Sequence, residues 1–132
     1  MIAYSKSMEH RVLIVDDSLV ARMALKSFLK ETGASIREAT TGEDALAALA
    51  EGFSPAVVFL DLTMPGMGGL ETLKHIKDRH QYLRVVVITA DVQGQTLSDL
   101  GELGVTGVIR KPADKTAVLA AYGRAVQQDG RT

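Results

Sequence analysis

The sequence predicts an α/β domain: an open, doubly wound sheet of five parallel strands with five helices. Three observations carry that expectation. Short β-branched runs alternate along the chain with stretches of helical periodicity. Three of the runs are apolar at nearly every position, as strands covered on both faces are. Each central run also stops at a polar residue capable of chemistry.

The five runs are Val12–Val15, Ser35–Ala39, Ala56–Leu60, Val85–Ile88 and Gly107–Arg110. The second alternates apolar with polar residues, which places it at an edge of the sheet. Between the runs, apolar residues recur at i, i+3, i+4 and i+7. Ala21, Ala24, Leu25 and Phe28 form the stripe of the first helix, and Val118, Ala121, Tyr122 and Ala125 that of the last. Ala45, Ala48 and Leu49 mark a short second helix, and Leu70, Leu73 and Ile76 a third. The fourth, over Gln93 to Leu103, has only Leu97, Leu100 and Leu103 as anchors and contains Gly94 and Gly101. Glycine costs about 1 kcal/mol in a helix interior, so this element is expected to be the least stable.

At 132 residues with 46% hydrophobic content the chain suits one domain with one sizeable core. Its expected extent is 11–128, with an N-terminal extension over 1–10 and a polar tail over 129–132. No second core follows, so a stand-alone domain without an output domain is expected. A net charge of −1 provides no basic field for nucleic acid or anionic lipid. The absence of cysteine excludes disulfides, thiolate catalysis and cysteine-ligated zinc. The apolar runs are too short to cross a bilayer, and the first ten residues lack the apolar stretch of a signal peptide. The expectation is a cytoplasmic protein that binds neither nucleic acid nor membrane.

In an open parallel sheet, ligands bind beyond the carboxyl ends of the strands, where strand order reverses. The first run ends in Asp16-Asp17, the third in Asp61, the fourth in Thr89 and the fifth in Lys111. With strand order 2-1-3-4-5, three carboxylates, a hydroxyl and an ammonium converge on one edge. Close carboxylates repel, and a raised pKa or a bound cation resolves the conflict. All-oxygen donors select magnesium, manganese or calcium, and so few carboxylates suit magnesium, with manganese the second candidate. Lys111 supplies positive charge and Thr89 a hydroxyl donor. These are the parts of phosphoryl transfer onto a carboxylate, a reaction governed by positioning and charge. A plainer reading makes Asp16 and Asp17 helix N-caps, and the histidines, His10, His75 and His80, solvated residues without ligand spacing.

Four segments are specific enough to carry a resemblance: Leu13-Ile-Val-Asp-Asp-Ser18, Val58-Phe-Leu-Asp-Leu-Thr-Met-Pro-Gly-Met-Gly-Gly69, Val87-Ile-Thr-Ala90 and Arg110-Lys-Pro112. Together they resemble the signatures of response-regulator receiver domains, from about Arg11 to about Gln127. Stand-alone receivers of the chemotaxis type are nearest in length and layout. The resemblance implies a flavodoxin-like fold and a phosphorylation switch in two-component signalling. By it, Asp61 is the phosphoacceptor. Asp17 binds magnesium directly and Asp16 through water, and Asp61 and the backbone carbonyl of Thr63 complete the protein ligands. Thr89 is the switch hydroxyl, Lys111 contacts the phosphoryl group, and the Lys111-Pro112 bond is cis. The implied partners are a histidine kinase or phosphotransfer protein and a downstream protein target. The resemblance further implies a chain that catalyses its own phosphorylation and dephosphorylation and is not a turnover enzyme.

One departure stands out: relatives often carry an aromatic residue three positions before the lysine, and here that position is Val108. A dehalogenase-type phosphatase would need a second acid two residues after Asp61, where Thr63 stands. A flavin carrier would need a phosphate loop where Asp16-Asp17 would repel the ligand. The remaining alternative is a degenerate receiver serving as a phosphorylation-independent interaction module.

Overall fold

Five strands and five helices alternate in the computed structural model, which describes residues 10–64 and 66–127. In chain order they are β1 (Arg11–Val15), α1 (Leu19–Leu29), β2 (Ser35–Ala39), α2 (Gly42–Ala50) and β3 (Val57–Asp61). Then follow α3 (Gly69–Arg79), β4 (Val85–Thr89), α4 (Gly94–Glu102), β5 (Gly107–Arg110) and α5 (Lys115–Gln127), with a short 3-10 turn, Lys30–Thr32, after α1. All four pairings are parallel and the order is β2-β1-β3-β4-β5, the flavodoxin-like order. β2 is an edge strand, as its alternation implies. Two strands reach one residue further than their apolar runs, so Asp61 and Thr89 are the last strand residues and not the first loop residues.

Alternation along the strands divides the core in two. Val12, Ile14, Val57, Phe59, Val86 and Ile88 pack with Leu25 and Leu29 of α1 and Val118 and Tyr122 of α5. The intervening Leu13, Val15, Val58, Leu60, Val85 and Val87 pack with Leu49 of α2, Leu73 and Ile76 of α3 and Leu100 of α4. Both faces of β1, β3 and β4 are therefore buried, which is why those sequences are apolar throughout. The α5 stripe is buried as expected. In α1 only Leu25 and Leu29 are fully buried, while Ala21, Ala24 and Phe28 are half-buried because they line a cleft. Leu70, expected in the α3 stripe, is 37% exposed, and Thr72 fills the buried position instead.

The helix termini follow local chemistry. Ser18 caps α1, its hydroxyl accepting from the Ala21 N–H at 3.1 Å, and Thr41 caps α2 through the Asp44 N–H at 3.0 Å. Asp114 caps α5 through the Ala117 N–H at 2.8 Å. α4 has no side-chain cap from its N-cap residue, Gln93, no acid in its first turn and no base in its last. Leu100 is buried beneath it, whereas Leu97 is exposed and Leu103 half-buried. One buried leucine contributes roughly 1.5–3 kcal/mol, so α4 is held lightly.

The histidines depart from the solvated reading: all three are half-buried. His10 stands edge-on to Tyr122 at 6.3 Å, and its carbonyl accepts from the Ser35 N–H at 2.8 Å, which joins it to the sheet. His75 lies 3.7 Å from Glu71, and His80 closes the C-terminus of α3. Residues 1–9 of the expected extension, Gln128 at the end of the expected domain and the expected tail, 129–132, lie outside the described residues, as does Pro65 of the β3–α3 loop.

Candidate functional site

The parallel ladder delivers the polar residues to one edge and clamps them there. The Asp16 N–H bonds to the Ala39 carbonyl at 3.1 Å, the Leu62 N–H to Ile88 at 3.2 Å and the Lys111 N–H to Thr89 at 2.9 Å. Asp61 pairs with Ile88 in register, and Thr89 with Arg110. Beyond β3 the backbone turns sharply through Gly66 and Gly68, both at positive φ, where residues other than glycine are strained. α3 then packs so closely that a Cβ on Gly69 would lie 2.3 Å from the Asp61 carbonyl oxygen. The loop after β3 is thus set by glycines at both its bend and its return.

Asp16, Asp17 and Asp61 converge, with one carboxylate oxygen from each lying within 4.8 Å of the others. Asp16 and Asp61 are each 2% exposed, and Asp17 is open to solvent. The N-cap reading fails here, because Ser18 takes that role and leaves the aspartates for the cluster. Lys111 Nζ lies 3.1 Å from Asp61 Oδ1 and 3.9 Å from Asp16 Oδ2. Asp61 Oδ1 also accepts from the Thr63 N–H at 3.0 Å and the Thr63 hydroxyl at 2.9 Å. Burial raises the pKa of Asp16 above the ordinary 3.8. The Ser18 N–H opposes that shift, the Asp61 charge adds to it and Lys111 offsets part of it. Three hard-oxygen donors, two of them buried, against one ammonium fit a small divalent cation that keeps part of its water.

Thr89 completes the edge. Its hydroxyl oxygen accepts from the Asp91 N–H at 3.0 Å. The Asp91 carboxylate in turn accepts from the Gln93 N–H at 3.2 Å and the Thr96 hydroxyl at 2.8 Å, at the start of α4. Val108 lies on the same face of the sheet as Thr89 and is 36% exposed. The Lys111-Pro112 bond is cis. Beside the acids a cleft of about 480 Å³ is lined by Ala21, Ala24 and Phe28 of α1 and by Lys111 and Pro112.

Comparison with known proteins accords with this geometry: the family model for the response regulator receiver domain matches residues 12–122. The chain belongs to the response regulator receiver family. This receiver is 36% identical to the chemotaxis protein CheY of Bacillus subtilis, over 89% of its own length and 98% of that protein's. It is also 38% identical to the Regulator of RpoS of Escherichia coli, spanning only 30% of that longer protein. Among solved structures, the receiver domain of NtrX from Brucella abortus superposes with a TM-score of 0.80 at 31% identity, covering 88% of this chain and 98% of that one. CheY4 of Vibrio cholerae superposes with a TM-score of 0.81 at 25% identity, covering 89% and 98%. Receivers are signalling switches that bind magnesium at an acidic cluster, here Asp16, Asp17 and Asp61. No helix among the described residues is long and apolar enough to cross a membrane.

Sequence reasoning missed three participants. The Thr63 side chain was overlooked in favour of its carbonyl, although a hydroxyl two residues after an aspartate is a recognisable local pairing. Asp91 carried the same kind of signal, being two residues after Thr89. Arg22 carried none, since its partner lies sixteen residues away.

Proposed function

We propose that this receiver is a phosphorylation switch whose phosphoacceptor is Asp61. The donor is a phosphohistidine of a histidine kinase or phosphotransfer protein, and the consequence is altered affinity for a downstream protein target. The observation that carries the reading is the buried Asp61 carboxylate held 3.1 Å from Lys111 among two further aspartates.

An Asp61 oxygen attacks phosphorus, the P–N bond to the donor imidazole breaks, and the nitrogen leaves with the electron pair. The chain's residues serve this step by orientation and charge. Thr63 and Lys111 hold the carboxylate in one attitude. Lys111 neutralises charge that accumulates on the phosphoryl oxygens. Thr89, seated at the end of β4, turns its hydroxyl from Asp91 to a phosphoryl oxygen. Asp16, Asp17, Asp61 and the Thr63 carbonyl would hold magnesium, or manganese in its place, which supplies further charge neutralisation when bound. The mainly apolar cleft beside Lys111, with the exposed Leu19, Val20 and Met23 of α1, offers the donor protein a seat within reach of Asp61.

Intact-mass measurement after incubation with acetyl phosphate and magnesium tests the assignment. The wild type should gain one hydroxylamine-sensitive phosphoryl group, and Asp61→Asn, which keeps the shape without the nucleophile, should gain none. Uptake by the Asn variant at the wild-type rate would place the acceptor elsewhere. No uptake by either chain would favour the phosphorylation-independent module.

A further inference from the structure

Arg22 lies in the first turns of α1, where an arginine would ordinarily extend into water, yet its side chain keeps only 11% of its exposure. Its Nη1 donates to the backbone carbonyl of Asp16 at 2.9 Å. Its Nε donates to Glu38 Oε1 at 2.8 Å, across the gap to edge strand β2. Lys26, one turn further along α1, takes the other carboxylate oxygen of Glu38 at 2.8 Å. The planar guanidinium is a rigid fork, and here one edge is anchored on the sheet while a tine holds the β1–α1 loop.

The loop shows why that hold matters. The Asp16 side chain is fixed by the Ser18 N–H at 2.9 Å, and its own N–H by Ala39. Asp17 is exposed, and among the described residues its carboxylate accepts no hydrogen bond, so its backbone alone aims it. The Asp16 carbonyl belongs to the planar peptide unit that joins Asp16 to Asp17. Holding that carbonyl fixes the plane, and with it the place of the Asp17 Cα from which the side chain departs. Among the described residues, Asp17 lacks the second restraint that Asp16 has.

We propose that Arg22 is a positioning residue of the metal centre, bracing the Asp16–Asp17 peptide against Glu38 so that the Asp17 carboxylate faces the cation. This rests on the reading of Asp16, Asp17 and Asp61 as the cation's protein ligands. Glu38 is the anchor of the brace, which gives that surface carboxylate a role at a site it never touches. Groups that orient ligands without contacting the metal commonly change affinity by about 10–100-fold when removed.

Titration calorimetry with magnesium chloride on the full chain tests the brace. Arg22→Met, which keeps the aliphatic stem, should bind magnesium roughly tenfold more weakly while still melting cooperatively. Arg22→Lys, whose ammonium reaches only one of the two acceptors, should recover part of the loss. A brace that merely stabilised the fold would lower the melting temperature and leave the affinity of the folded protein unchanged. Wild-type affinity in a folded Arg22→Met therefore overturns the proposal. If Arg22→Met does not fold, Glu38→Gln decides, since it removes the charged anchor and leaves Arg22 in place: several-fold weaker binding supports the brace and wild-type binding overturns it. A wild-type chain that binds no magnesium overturns the acid-cluster reading itself, an outcome distinct from normal binding in the wild type and the variants alike.

Discussion

Gly69→Ala separates the requirements of the fold from those of the chemistry. In a helix interior this change is favourable by about 1 kcal/mol, and Gly69, the first residue of α3, would gain at most that. Here the new Cβ would lie 2.3 Å from the Asp61 carbonyl oxygen and 2.3 Å from the Leu62 Cα, against ordinary contacts of 3.4 Å or more. Both obstacles are backbone atoms, so no side chain can rotate away. Relief requires the end of β3 and the start of α3 to part by about 1 Å, and overpacking of that kind costs about 1–3 kcal/mol. The clash therefore cancels or outweighs any propensity gain, and net destabilisation should be at most about 3 kcal/mol. The kinetic effect should be larger, since a misplacement of about 1 Å can slow a positioned reaction by about 10²-fold. Gly123→Ala in α5 is the control, because its Cβ meets nothing within 4 Å and the helix gain should appear undiminished. Thermal melts and acetyl-phosphate labelling rates should show Gly69→Ala folded but slow, and Gly123→Ala more stable at the wild-type rate. A folded Gly69→Ala that labels at the wild-type rate would refute the claim that α3 packing sets the position of Asp61.

Two further expectations concern charge and coupling. Asp16→Asn should raise the melting temperature of the metal-free protein at neutral pH. Because burial raises the folded-state pKa of Asp16 above 3.8, the charged form costs stability above that raised value. The variant's advantage should shrink as pH falls through the raised pKa and vanish below 3.8, so calorimetry showing a pH-independent difference would contradict the assignment. With beryllofluoride as phosphoryl mimic, amide exchange should change most over 90–103, because a Thr89 hydroxyl drawn to the mimic releases the Asp91 N–H and unsettles the contacts of Asp91 with Gln93 and Thr96. Thr89→Ala should abolish that change and Val108→Ala should barely alter it; the reverse pattern would route coupling through β5.

The fold was legible because the core has two faces. Strands buried on both sides must be apolar at nearly every position, so β1, β3 and β4 are conspicuous, and each breaks at a buried polar residue on the carboxyl edge of the sheet. That is how Asp16, Asp61 and Thr89 can be read off a linear chain. Helix faces were less legible. The i, i+3, i+4 pattern of α1 reports apolar positions without distinguishing core from cleft, so Ala21, Ala24 and Phe28 look the same in sequence as Leu25. Leu70 misleads for a related reason, since the position that faces the packed neighbour holds the hydrogen-bonded Thr72, whose hydroxyl donates to the Gly68 carbonyl at 2.7 Å. The partnership of Arg22 with Glu38 depends on where β2 lies relative to α1, which no local pattern encodes.

The last rungs of the ladder have an evolutionary consequence. Asp16, Leu62 and Lys111 are gripped by strand backbone, through bonds to Ala39, Ile88 and Thr89 that no side chain supplies. The exposed apolar residues Leu19, Val20 and Met23 on α1, the proposed seat of the donor, and Leu97 on α4 lie outside that grip. Substitutions there alter the address without altering the reactive groups. A duplicated copy of such a chain could lose its old partners and acquire new ones through a few surface changes, while inheriting its chemistry intact.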